Sequence, residues 1–176
     1  MDICSIILSA GKGNRMLSST PKPLHTIAGK SMLQWVIDAN KSAKVSRIII
    51  VIPPKNKKIE EVTQRFETVI QTSPLGTGDA VKKGVKLLNN YNGIILICFA
   101  DTPFVSAKTL KVLIASIKKG SKIAITGFKK TELNNYGKII FSKNKPQEII
   151  EEKDAKLKNI SSEFCNAGIM AIHSSM

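Results

Sequence analysis

Short runs of aliphatic and β-branched residues recur along this chain, each followed by a segment with helical periodicity. Ile3–Ser9, Arg47–Ile52 and Gly93–Phe99 are apolar almost throughout rather than at every second position, the pattern of strands buried on both faces. Between and after them, Lys30–Ala43 places Met32, Leu33, Val36 and Ile37 on one face, with Ser31 as a possible N-cap. Lys57–Phe66, Thr77–Leu88 (Ala80, Val81, Gly84, Val85 and Leu88 inward) and Ser106–Lys118 (Leu110, Leu113, Ile114 and Ile117 inward) read as further helices. Thr68–Gln71 and Lys122–Phe128 read as strands. Alternation of this kind predicts an α/β fold, a mostly parallel sheet with helices on both faces.

Beyond residue 129 the rhythm changes. Lys138–Ser142, Gln147–Glu152 and Ala167–His173 read as strands joined by polar connectors. The expectation is one domain over 1–176, with a binding half at about 1–128 and a smaller, mixed lobe at about 129–176. In an open α/β sheet ligands bind beyond the carboxyl ends of the strands. The informative segments are therefore Gly11–Arg15, Gln71–Gly78 and Phe99–Pro103.

Composition narrows the possible functions. There are 27 lysines and arginines against 13 acids, a formal charge of +14, which raises the question of nucleic acid. Only Arg15, Arg47 and Arg65 are arginines, the lysines are dispersed, and aromatic residues make up 5%. Arginine forks and stacking platforms are thus both scarce, and no nucleic-acid partner is expected. No run of about 18 apolar residues occurs, so no membrane span is expected. The first residues lack the basic patch of a signal peptide, so the expected location is cytoplasmic. Cys4, Cys98 and Cys165 show no metal or redox spacing and are expected to be buried thiols.

The loop Leu8-Ser9-Ala10-Gly11-Lys12-Gly13-Asn14-Arg15-Met16 follows the first strand. It is not a Walker A loop: Gly29-Lys30-Ser31 occurs, but the position five before Gly29 is Leu24. Nor is it a dinucleotide fingerprint, since Met16 stands where the third glycine belongs. What remains is a strand, small residues that expose backbone amides, and the cations Lys12 and Arg15, a combination suited to a triphosphate. Lys22, between Pro21 and Pro23, adds an ammonium on a restricted backbone. Asp101 follows the most apolar strand, at one of the strand ends where ligands bind.

The strings LSAGKGNRM and PKPLHTIAGKSM resemble those of the bacterial bifunctional GlmU family, N-acetylglucosamine-1-phosphate uridylyltransferases. Further blocks agree in order: Gln71–Gly78, Ala100–Pro103, Asn135–Ile139, Ile150–Ala155 and Asn166–Ile169. The resemblance implies a Rossmann-like, GT-A-like nucleotidyltransferase three-layer sandwich with a partial sugar-binding lobe. It implies Mg²⁺-dependent transfer of UMP from UTP to N-acetylglucosamine 1-phosphate, giving UDP-N-acetylglucosamine and pyrophosphate. By position, Leu8, Ser9, Ala10 and Gly11 contact the nucleotide, Arg15 and Lys22 act on its phosphates, and Gln71, Gly76 and Thr77 read the uracil. Asp101 holds Mg²⁺, and Gly137, Glu151 and Asn166 face the sugar. An amide such as Gln71 both donates and accepts, matching the O4 and N3–H of uracil.

The chain departs from the family in three ways. Asp79 stands where the family has histidine, an extra carboxylate expected to weaken polyanion binding slightly unless a cation answers it. Phe99-Ala100-Asp101 replaces Tyr-Gly-Asp. The family's sugar lobe continues past the Asn-x-Gly-Ile block, through a second metal ligand and an acetyltransferase β-helix, so the expectation is an incomplete pyrophosphorylase domain without acetyl transfer. Two alternatives stay open: a related nucleotidyltransferase for another base or acceptor, and a nucleotide-holding remnant without turnover.

Overall fold

The computed structural model describes residues 1–11, 13, 16–73, 75–129, 136–143, 145–158 and 160–176. The chain forms two compact units, residues 1–124 with 170–176, and residues 125–169. The last seven residues, expected with the smaller lobe, belong to the first unit.

In the first unit, β1 (Asp2–Leu8), β4 (Arg47–Ile52), β5 (Glu67–Ile70) and β6 (Gly93–Phe99) lie in the order β5-β4-β1-β6, all parallel. The end of β10 (Phe164–His173) pairs antiparallel with β6, Met170 opposite Ile97. The uninterrupted apolar runs are explained by burial on both faces: Ile6, Ile7, Ile49, Ile50, Ile94 and Leu96 are all fully buried. One face, with Cys4, Ile6, Leu8, Ile49, Val51, Ile95 and Ile97, packs against Ala80 of α3 (Thr77–Val85) and Leu88 just beyond it. The opposite face is covered by α1 (Met32–Ser42), whose buried Asn40 donates through Nδ2 to Cys98 Sγ at 3.8 Å, as does Ser5 Oγ. Helix α4 (Ala107–Lys118) packs on α1 and β6, and α2 (Lys57–Thr63) on β4.

Helix starts follow local chemistry. Ser31, Asn56 and Ser106 each accept from the backbone N–H three residues on, at 3.1, 3.2 and 3.1 Å, satisfying one otherwise orphaned donor. A short hairpin, β2 (Thr26–Ile27) with β3 (Lys30–Ser31), precedes α1 and was not anticipated. Trp35 Nε1 donates to Ile27 O at 2.8 Å and fixes it to the helix. Val85 was expected inward but is 39% exposed; α3 is so close to the sheet that only its smallest residues, Ala80 and Gly84, fit beneath it. Cys4, Cys98 and Cys165 are buried free thiols, and burial pushes Cys4 up to about 11. No described helix is long and apolar enough to cross a membrane.

The second unit contains the hairpin β8 (Lys138–Ser142) and β9 (Lys145–Ile150), the first part of β10, with Cys165 opposite Lys138, and the short helix α5 (Glu152–Leu157). Glu152, expected to close a strand, instead opens α5. Strand β7 (Ile123–Lys129) enters this unit, where Thr126 Oγ1 donates to Ile169 O at 2.8 Å.

Two outcomes follow from this packing. A Cβ on Gly84 would stand 2.7 Å from Ile6 Cγ2, so Gly84→Val should destabilise the protein by about 1–3 kcal/mol in urea unfolding. Arg47 clamps Glu67 through two bonds of 2.7 Å between β4 and β5, holding the Glu67 carboxyl below its usual 4.5. A depressed carboxyl contributes stability above the unfolded value and loses it as pH falls through the folded one. Glu67→Gln should therefore reduce stability by at most about 1 kcal/mol at pH 7, given the pair's exposure. The difference from wild type should shrink as pH falls below 4.5 and vanish once it has passed the lowered folded value.

Candidate functional site

The carboxyl ends of β1, β5 and β6 carry a single pocket's worth of polar groups. Its walls are Leu8, Ser9, Ala10 and Gly11 after β1, Gln71 after β5, Phe99, Ala100 and Asp101 after β6, Gly76, Thr77 and Ala80 of α3, and Lys22 and Pro23. Backbone bonds just past the strands hold these ends together: Ser9 N to Val51 O at 2.8 Å, Ala100 N to Leu8 O at 3.0 Å, and Gln71 N to Ile52 O at 2.9 Å. Leu8, Ser9, Ala10, Gly11, Lys22, Gln71, Gly76, Thr77 and Asp101, all expected at the site, line this one pocket. Arg15 lies outside the described residues, as do Pro74 and Asn135 of the matched blocks.

The amides of Ala10 and Gly11 donate to no acceptor among the described residues. Adjacent open amides of this kind suit an anion. Ser9 Oγ is likewise buried without a hydrogen-bond partner. Lys22 sits in a 3-10 turn begun by Pro21, with Leu24 N bonded to Pro21 O at 2.9 Å and Pro23 buried beneath. Gly13 lets the turn approach: its φ is +60°, and a Cβ there would lie 2.8 Å from Lys22 Cβ. The Lys22 ammonium meets Asp101 Oδ2 at 2.5 Å, both side chains about one-third exposed. A cation and a carboxylate therefore neutralise each other at the pocket wall.

Gly76 caps α3 with φ 99° and ψ 179°, a backbone region open essentially to glycine alone. In that conformation its carbonyl accepts from Gln71 Nε2 at 3.0 Å. The second partner of the same nitrogen is Asp79 Oδ2, at 2.9 Å. Asp79 is thus answered by an amide and not by a cation, and it stands behind Gln71 rather than in the pocket wall. Pro23 and Ala80, expected only as a backbone restraint and a core contact, also line the pocket.

In the second unit, the three residues expected at the sugar lie together. Asn166 N donates to Gly137 O at 2.8 Å, and a Cβ on Gly137 would fall 3.8 Å from Glu151 Cδ. Asn166 Oδ1 accepts from Gly168 N at 2.9 Å, while Glu151 is exposed at the start of α5. Beneath them Lys138 Nζ contacts Glu152 Oε2 at 2.7 Å and Tyr136 O at 3.1 Å. That contact with Glu152 raises the Lys138 ammonium and lowers the Glu152 carboxyl.

Among the described residues no group of three or more His, Cys, Asp or Glu converges as a metal cage. One carboxylate, Asp101, beside a turn with two open amides fits a hard cation that keeps its waters and takes further oxygens from a substrate. It does not fit zinc.

The chain is 36% identical over 171 residues to the bifunctional protein GlmU of Xanthobacter autotrophicus, covering 95% of this chain and 38% of that protein. It is 34% identical over 172 residues to the GlmU of Caulobacter vibrioides, covering 95% and 37%. The chain thus spans well under half the length of these relatives. Its fold matches a Bacillus anthracis structure assigned as a glucose-1-phosphate thymidylyltransferase, with a TM-score of 0.82 at 17% identity, covering 98% of this chain and 72% of that one. It also matches a UDP-glucose pyrophosphorylase complexed with UDP-glucose, with a TM-score of 0.74 at 19% identity, covering 99% and 77%. Residues 5–160 match the MobA-like NTP transferase domain, and the chain belongs to that family.

Proposed function

We propose that this chain is the catalytic core of a sugar-1-phosphate uridylyltransferase. In this reading it transfers UMP from UTP to N-acetylglucosamine 1-phosphate and releases pyrophosphate. The observation that carries the proposal is the convergence of open amides, the Lys22 ammonium, the Asp101 carboxylate and the Gln71 amide on one pocket at the strand ends. Similarity to the GlmU proteins supports the choice of base and acceptor.

The reaction needs little proton chemistry. A phosphate oxygen of the sugar phosphate, already anionic, attacks the α-phosphorus of UTP; the bond from that phosphorus to the bridging oxygen breaks, and pyrophosphate carries the charge away. The obstacle is repulsion between two anions, so catalysis consists of alignment and charge neutralisation. The amides of Ala10 and Gly11 bind phosphate oxygens, with Arg15 as a second cation. Lys22 releases Asp101 and turns to the phosphates. Asp101 is the residue that would hold Mg²⁺, which neutralises the polyphosphate when bound. Gln71 with the Gly76-Thr77 backbone orients the base. Gly137, Glu151 and Asn166 take the sugar; residues 1–124 with 170–176 serve as the nucleotide half and residues 125–169 as the sugar half. A soluble cytoplasmic enzyme suits this chemistry.

Titration calorimetry with UTP, with and without Mg²⁺, tests the proposal together with an assay of pyrophosphate release. Lys22→Ala should weaken UTP binding about 10- to 100-fold, the effect of losing a charge-assisted contact. Asp101→Asn should keep metal-free UTP binding while losing the increase that Mg²⁺ brings. Absence of pyrophosphate release by wild type that does bind UTP would overturn the catalytic assignment.

Gly13 offers an independent check on how Lys22 is placed. Gly13→Ala introduces a side chain at positive φ, at a cost of about 1 kcal/mol, and presses on the Lys22 stem. UTP affinity should fall at least about threefold, with urea unfolding showing the fold intact. Unchanged affinity would mean that the turn does not position the lysine.

A further inference from the structure

We propose that Asp79 is a specificity-determining positioning residue: it fixes the Gln71 amide so that only its carbonyl remains to read a base, and the pocket therefore selects a pyrimidine that carries an N–H at N3. The inference rests on the reading of this pocket as a pyrimidine nucleotide site.

Gln71 is 7% exposed and lines the pocket. Its Nε2 carries two N–H groups and has two partners, Gly76 O at 3.0 Å and Asp79 Oδ2 at 2.9 Å. Both partners are pure acceptors, a backbone carbonyl and a carboxylate. The opposite orientation of the amide would set an oxygen against two oxygens, leaving Asp79 Oδ2 without its donor and Gly76 O with only Ala80 N, at 3.3 Å. The orientation is therefore dictated by chemistry and not by shape. Oε1 accepts no hydrogen bond among the described residues, so it is the amide atom free for a ligand.

Asp79 holds this arrangement from the first turn of α3, where the helix dipole favours a carboxylate. It is half-buried and absent from the pocket wall, so any effect it has on the base passes through Gln71. An unconstrained glutamine can rotate its amide and satisfy either pyrimidine. With both N–H groups occupied, Oε1 accepts from the N3–H of uracil but faces a lone pair on the N3 of cytosine. The extra carboxylate, expected from the sequence to be a mild handicap near a polyanion, becomes a source of discrimination.

The test compares UTP and CTP binding by wild type, Asp79→Asn and Asp79→Ala, using calorimetry in Mg²⁺ with thermal melts to establish folding. Asparagine keeps the shape but can present either a donor or an acceptor, so it frees the amide to rotate. Wild type should prefer UTP, and both variants should narrow the UTP-to-CTP ratio about tenfold, the worth of one buried hydrogen bond. A purely structural role would lower both affinities and leave the ratio unchanged. UTP binding with the same ratio in all three proteins overturns the clamp and leaves the nucleotide site standing. A wild type that binds neither nucleotide overturns the site itself, and the clamp with it.

Discussion

Three backbone hydrogen bonds just past the ends of parallel strands hold the rest of the site in place. A strand's last residues ordinarily leave its amides and carbonyls to solvent, and the chain is free to wander. Here Ser9, Gln71 and Ala100 each donate back to the neighbouring strand after the ladder has ended. The register runs Leu8 opposite Val51 on one side and Phe99 on the other. The loops after β1, β5 and β6 consequently leave the sheet at the same level. Shifting one strand by a residue would turn its core side chains outward and its loop away, so burial of the aliphatic strands and assembly of the pocket are the same event.

On this frame the charges are arranged to be exchanged. Lys22 and Asp101 form a pair about one-third exposed, too solvated to contribute much stability. Proline on both sides of Lys22 restricts its backbone, and Asp101 follows directly on a buried strand, so both groups are preorganised at small entropic cost. An ion pair at a pocket wall keeps each charge neutralised before ligands arrive. In the proposed reaction the lysine moves to phosphate and the carboxylate to a cation, with no net charge left stranded at any stage.

Much of the first unit was legible because its strands are buried on both faces and its helices begin at Ser31, Asn56 and Ser106, where short-range chemistry decides the boundary. Asp101 and Lys22 were singled out through the family resemblance; the apolar strand and the proline pair beside them left a turn aspartate and a solvated loop lysine as open readings. The hairpin at 26–31 was not legible: its strands are two residues each, and it is held by Trp35, a tertiary contact. Glu152 was misread as the end of a strand because its partner, Lys138, is distant in sequence. The contact of Asp79 with Gln71 was hidden because a carboxylate near phosphate looks unfavourable until the amide it answers is seen.

The second unit shows why that Lys138–Glu152 pair matters beyond its own energy. A buried ion pair is a weak source of stability, since desolvation opposes the attraction. Its value is geometric. Lys138 immediately follows Gly137 and lies opposite Ile150 in the β8–β9 ladder; Glu152 immediately follows Glu151. Drawing Lys138 and Glu152 to 2.7 Å therefore holds their neighbours, Gly137 and Glu151, side by side, and the bond from Asn166 N to Gly137 O adds the third residue. A strand end alone would let Glu151 swing with the start of α5. Charge buried one position away removes that freedom, so the three polar groups proposed for the sugar share one rigid support.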